Sequence, residues 1–240
     1  MKCEFSETQF AYGILHEFEN RLAHAGKIFQ GPFFPTLREE NELGYDAAIT
    51  GPVRSVFFQF KVPEKKTTAN AKYWELMGGP YYEFQIWPAA KSPQHNTLRD
   101  FANLKPQNKV YYCAPRFHTH DEYIDNHNKQ TITKNSAYFP CGGLKPIKGW
   151  DAHSICYTKD PMSRSYMHSE PREIKRFDMA ALEADIEDAP TYQSAQECLF
   201  SVAESFSIDV KYQDNIYNMY TEISNYLIAN ENLAFVLIGE

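Results

Sequence analysis

The chain has 240 residues, 43% of them hydrophobic and 15% aromatic, which suffices for one large core with a small appended unit. Its net charge of −7 excludes a protein that coats nucleic acid through overall charge, since such binding neutralises phosphates with Lys and Arg; a local basic cleft remains compatible with it. The five cysteines (Cys3, Cys113, Cys141, Cys156 and Cys198) contain no Cys-x-x-Cys pair, which argues against both a thiolate zinc site and a disulfide framework.

Ser6 with Gln9 three positions on has the pattern of a capping box and predicts a helix over 6–25. At about 100° per residue, Phe10, Ala11, Ile14, Leu15, Phe18, Leu22 and Ala25 share one face of it. Glu7 falls near the middle of that face, and Glu17 and Glu19 fall on its borders. Gly31-Pro32 breaks the chain before a short strand at 33–37. The turn Thr50-Gly51-Pro52 then joins strands at 45–49 and 54–62 into an expected hairpin. A strand at 81–87, a helix at 93–104 and a strand at 110–114 follow, the last ended by Pro115. The order helix, three strands, helix, strand means an α/β layer with a crossover helix.

From 116 to 148 the pattern weakens into a histidine-bearing, turn-rich region, followed by a strand at 153–157 and a polar loop at 158–176. Helices are expected at 180–188, 194–206 and 216–229, and a terminal strand at 233–238. The expected division is an α/β domain over 1–160 and a mostly helical C-terminal extension over 161–240, packed on that core. The apolar run at 233–238 is too short to cross a bilayer and the N-terminus lacks an apolar leader, so a cytoplasmic chain with no membrane partner is expected.

The hairpin carries the most telling chemistry. Val56, Phe57, Phe58, Phe60 and Val62 make its second strand look buried, yet that strand also carries Gln59 and Lys61. Burying such groups unpaired costs about 1–3 kcal/mol or more, so a carboxylate, a metal or a phosphate is expected beside them. Asp46 begins the first strand, and Gln59 and Lys61, two apart, point to one sheet face. Lys65, Lys66 and Lys72 follow closely and place the basic side near the hairpin, while acid excess gathers later, at 183–188 and 197–214.

With Asp46 on one strand and Gln59-Phe60-Lys61 on the next, residues 6–115 resemble the PD-(D/E)XK nuclease superfamily, in the Mrr-like variant where Gln replaces the second acid. Tyr45 stands where the motif's proline would be. The resemblance implies a restriction-endonuclease-like core and a metal-dependent endonuclease acting on nucleic acid, DNA rather than RNA, in bacterial defence against foreign DNA. It further implies that Asp46 binds Mg²⁺ or Mn²⁺ with the backbone carbonyl of Phe60 and water, and that Glu7 is the first-helix acid, a metal ligand or base. Gln59 would orient a ligand or water, and Lys61 would hold or deprotonate the attacking water. Lys65, Lys66, Gln94 and His95 are the candidate substrate contacts, and a homo-oligomer or partner subunit would supply recognition.

Each assignment has a structural rival. Asp46 suits a turn, Lys61 a snorkelling strand lysine, and Glu7 the first turn of a helix, where the dipole favours a carboxylate. Glu17 is the alternative helix acid, but four residues before Arg21 it suits a surface ion pair. His118, His120, Asp121, Glu122, Asp125 and His127 have metal-ligand residue types without a recognised spacing, as in a solvated polar loop. Gln59 in place of an acid keeps a second class open, a non-catalytic nuclease-fold scaffold or protein-interaction subunit.

Overall fold

The computed structural model describes residues 1–30, 52–168, 171–211 and 215–239. In chain order its elements are α1 (Glu7–His24), β1 (Ile28–Gln30), β2 (Val53–Phe60), β3 (Glu64–Lys66), α2 (Trp74–Met77), β4 (Tyr81–Ile86), α3 (Gln94–Leu104) and β5 (Asn108–Pro115). There follow α4 (His120–Asn128), β6 (Ser136–Pro140), a 3₁₀ turn (Cys141–Gly143), β7 (His153–Tyr157), β8 (Ser165–His168) and β9 (Arg172–Ile174). The chain ends with α5 (Met179–Glu187), α6 (Ala195–Ser205), α7 (Ile216–Tyr226), a π turn (Leu227–Glu231) and β10 (Ala234–Gly239).

The architecture is mixed α/β, with two five-stranded sheets in the orders β1-β10-β2-β5-β6 and β3-β4-β7-β8-β9. The second sheet is antiparallel throughout, and in the first only β2 and β5 run parallel. Strand β2 explains the layering. Its Val56, Phe58 and Phe60 join Phe10, Ile14 and Phe18 of α1 and Leu182 of α5 in one core cluster. Val53 and Phe57, on the opposite face, join a second cluster with α3, α6, α7 and the inner face of the second sheet, including Phe84, Ile155 and Tyr157. A strand that is apolar on both faces must be covered on both, so the first sheet is sandwiched.

Several sequence expectations change in three dimensions. The strand at 81–87 forms as β4 but belongs to the second sheet, between β3 and β7. Over residues 55–58 both edges of β2 are occupied, by β10 and by β5, so β2 is an interior strand there. The strands expected at 33–37 and 45–49 lie outside the described residues. Residues 161–240 contribute strands to both sheets beside the helices α5, α6 and α7. β8 and β9 complete the second sheet, and β10, buried along its whole length, lies between β1 and β2 in the first. The turn-rich region contains a true helix, α4, capped by the reciprocal Thr119–Glu122 box.

Helix α1 starts where Ser6 Oγ accepts the Gln9 N–H at 3.1 Å, and ends before Gly26, whose φ of +71° turns the chain in the left-handed region. Its Glu17 is not the expected surface partner of Arg21. The Glu17 carboxylate is buried and accepts from the Ile132 and Thr133 N–H groups, both at 2.8 Å, and from Thr133 Oγ1 at 2.9 Å. Arg21 instead reaches Glu183 on α5. The same side of the helix carries Gly13, where an added Cβ would meet Ile132 Cδ1 at 2.5 Å, so a small residue permits the close approach that brings Glu17 to the turn. Glu17→Ala, which strands those donors, should lower stability by about 3 kcal/mol in urea unfolding, while Arg21→Ala should change it by about 1 kcal/mol or less.

Candidate functional site

The N-terminus of α1 and the end of β2 meet at an open pocket of about 450 Å³, whose lining includes Glu7, Lys61, Glu64, Lys66, Glu83 and Trp87. Lys61 follows directly on β2, and its N–H continues the ladder to the Cys113 carbonyl at 2.9 Å. Pro63 and β3 then lead the chain into the second sheet, so the pocket lies where the two sheets diverge.

The pocket's charges fall into two groups. Lys66 bonds Glu64 at 2.7 Å and lies 3.6 Å from Glu83, which also accepts from Ser154 Oγ at 2.7 Å. The hydrogen bond between Glu64 and Lys66 lowers the carboxyl's pKa and raises the ammonium's. Lys61, by contrast, has no side-chain hydrogen bond or ion pair among the described residues. Burial pushes its ammonium below the ordinary lysine value, and the Glu7 carboxylate works against that shift. Glu7 accepts from Asn232 Nδ2 at 2.9 Å. Asn232 has φ 49° and ψ 44° after the π turn, so the segment entering β10 holds the acid of α1 in place. No periodicity or motif in the sequence signals Asn232, because its partner is 225 residues away.

The structure thus brings Glu7 and Lys61 together, and separates other expected site residues from them. Gln59 is wholly buried on the opposite side of β2 from Phe60, in register with Tyr112 of β5, and among the described residues neither its Oε1 nor its Nε2 has a hydrogen-bond partner. It is absent from the pocket wall. Two residues apart along the chain, Gln59 and Lys61 differ in depth: the Gln59 side chain is sealed in the core and that of Lys61 lines the pocket. Phe60 packs its ring edge-on against Phe10, with centroids 5.9 Å apart. Asp46 lies outside the described residues.

The expected substrate contacts are also redistributed. Lys66 lines the pocket, whereas Lys65 lies over the Tyr82 ring, 5.8 Å from its centroid. Gln94 donates to the Glu231 carbonyl at 2.5 Å and steadies the π turn. His95 is buried between the Tyr112 hydroxyl, at 3.0 Å, and the Lys145 carbonyl, at 2.8 Å, and burial lowers its pKa. Both are structural contacts away from Lys61. In the histidine-bearing region, His118 Nδ1 lies 3.2 Å from Glu122 Oε2. Burial would raise the Glu122 carboxyl, but donation from the His118 and Thr119 N–H groups and from Lys159 outweighs it and brings the carboxyl down to about 2.

Among the described residues no group of three or more His, Cys, Asp or Glu side chains could hold a metal ion. All five thiols are free, and burial pushes Cys3 up to about 12, which rules against a reactive thiolate there. Among the described residues no helix is long and apolar enough to cross a membrane. Comparison with protein-family models, with curated proteins and with solved structures gave no match in any of the three.

The orphaned amide of Gln59 yields a direct test. Gln59→Leu keeps the volume while removing two unpaired polar atoms, and should raise stability by about 1–3 kcal/mol in urea unfolding. A loss of stability would mean that the amide has a partner, such as a buried water.

Proposed function

We propose that the chain is a metal-dependent nuclease that hydrolyses phosphodiester bonds, with DNA as the favoured substrate, at the pocket shared by Glu7 and Lys61. The observation that carries this reading is Lys61 itself: a largely desolvated lysine with no committed counter-ion among the described residues, beside a carboxylate in an open pocket. Such a lysine is suited to proton transfer, because desolvation favours its neutral form. In this reading Lys61 holds the attacking water and takes up its proton or neutralises charge on the phosphate. Glu7, steadied by Asn232, is an acid of the site, and Asp46 enters by the resemblance alone. A Mg²⁺ or Mn²⁺ ion held by Glu7 and Asp46 would supply Lewis acidity. Gln59 has no part in it.

The pocket's cations are largely matched by Glu7, Glu64 and Glu83, which leaves little unopposed positive charge to track a nucleic-acid backbone. A second copy or a partner subunit would supply that surface. A non-catalytic scaffold is the second reading, and the sealed position of Gln59 favours it, since the one motif residue that distinguishes the Mrr-like variant is removed from the pocket.

The two readings separate in one assay. Wild type and the variants Lys61→Ala, Asp46→Ala and Glu7→Gln are incubated with labelled duplex DNA, single-stranded DNA and RNA in Mg²⁺ or Mn²⁺. Cleavage by wild type should fall about 10²–10⁴-fold in Lys61→Ala and Asp46→Ala, and about 10–100-fold in Glu7→Gln. Equal activity in Lys61→Ala would exclude the assignment, and folded wild type silent on every substrate would favour the scaffold.

A further inference from the structure

A second pocket, of about 170 Å³, lies at the far side of the second sheet, and its lining includes Lys145, Ile147, His153, Met167, Arg172 and Lys175. Its volume is more than ten times the ~15 Å³ of probe-occupied space that one water requires. Its roof is the loop carrying Lys145 and Ile147, which α3 holds by several bonds. Asn96 Nδ2 donates to the Ile147 carbonyl at 2.9 Å, Asn96 Oδ1 accepts the Ile147 N–H at 3.0 Å, and Arg99 Nε donates to the Leu144 carbonyl at 3.0 Å. The shape is therefore preformed.

Its electrostatics are unusual for a chain of net charge −7. Lys145, Arg172 and Lys175 have no carboxylate partner among the described residues. Lys175 contacts the Phe177 ring, and Glu173, the one acid among the described lining residues, lies 3.5 Å from Arg164. The lining also includes His153, which is 9% exposed. Its Nδ1 lies 3.1 Å from the His168 carbonyl, and only a protonated Nδ1 can donate there. Nε2 is left buried with no hydrogen-bond partner among the described residues. A buried, unpartnered nitrogen in a pocket flanked by three cations without carboxylate partners among the described residues is an unfilled half of an interaction.

We propose that this pocket binds a phosphate group, with His153 Nε2–H, Arg172, Lys145 and Lys175 as its donors. For Nε2 to donate while Nδ1 keeps the His168 carbonyl, His153 must be the imidazolium, and the Nε2 proton is taken from solvent or from the dihydrogen phosphate ion as the anion binds. The charged and titratable groups around the ring are Lys145 on the roof, Arg172 and Glu173 on β9, Lys175 just after it, His168 on β8 and His95 on α3. The proposal does not rest on the nuclease reading.

The test is titration of the whole chain with inorganic phosphate, followed by the ¹⁵N imidazole resonances, with His153 assigned by comparison with His153→Gln. A saturable shift of His153 Nε2 to the protonated form is expected. The exposed pair Arg172→Glu with Lys175→Glu should weaken binding at least about tenfold, and the equal charge change Lys134→Glu with Lys211→Glu should leave it within about twofold. A 5′-phosphorylated oligonucleotide and its 5′-hydroxyl counterpart distinguish the source. Response to the phosphorylated strand alone identifies a nucleic-acid terminus; response to inorganic phosphate and to neither strand identifies the free ion. No saturable change at His153, or equal weakening in both charge-reversed pairs, would overturn the site.

Discussion

Strand β2 cannot be left with either face in water. Val56, Phe58 and Phe60 require cover on one side, and Val53 and Phe57 require it on the other. Helices α1 and α5 supply the first cover, and α3, α6, α7 and the second sheet supply the other. Both edges of the strand are filled as well, by β10 from the far end of the chain and by β5. The first sheet is therefore closed by the last strand of the sequence, and the proposed site depends on that closure, because the segment entering β10 provides Asn232 to Glu7.

Two buried polar side chains show how differently a core can treat such groups. Glu17 has three donors, and its carboxylate ties α1 to the turn before β6. Satisfied in this way, a buried acid fixes a helix at one position along a loop, a geometric specification that apolar packing alone supplies less sharply. Gln59 has no hydrogen-bond partner among the described residues, although it lies beside Tyr112, whose hydroxyl is already engaged with His95. One group anchors, the other is an uncompensated cost, and in sequence both are simply polar residues in apolar surroundings.

The charge distribution follows the same division between paired and unpaired groups. Around the Glu7–Lys61 pocket, Lys66 is committed to Glu64 and Glu83, which leaves Lys61 as the cation whose protonation its surroundings control. At the other end of the second sheet, Lys145, Arg172 and Lys175 flank the buried His153. An acidic chain thus keeps two local places where an anion meets uncompensated or tunable positive charge, and the second sheet contributes to the walls of both.

Local order was legible wherever a short-range pattern sufficed. The capped amphipathic helix at α1, the apolar runs of β2, β5, β7 and β10, and the helices α3, α5, α6 and α7 follow from periodicity, capping and turn residues within a few positions of one another. That Glu7 and Lys61 line one pocket is a fact of the tertiary structure, since α1 and the end of β2 are brought together only by the packing of the sheet. Strand order was not legible: periodicity says that β2 is buried, not that its neighbours are β10 and β5, and it places β4 in a strand without saying in which sheet. A helical wheel sets Glu17 against Arg21 four residues on and cannot show the N–H groups of Ile132 and Thr133. The two-residue spacing of Gln59 and Lys61 does not tell that one side chain is sealed in the core and the other lines a pocket. Sequence determined which residues prefer burial and which segments curl or extend, because those preferences are local; only the tertiary structure decided which buried polar group finds a partner, because that partner is more than a hundred residues away.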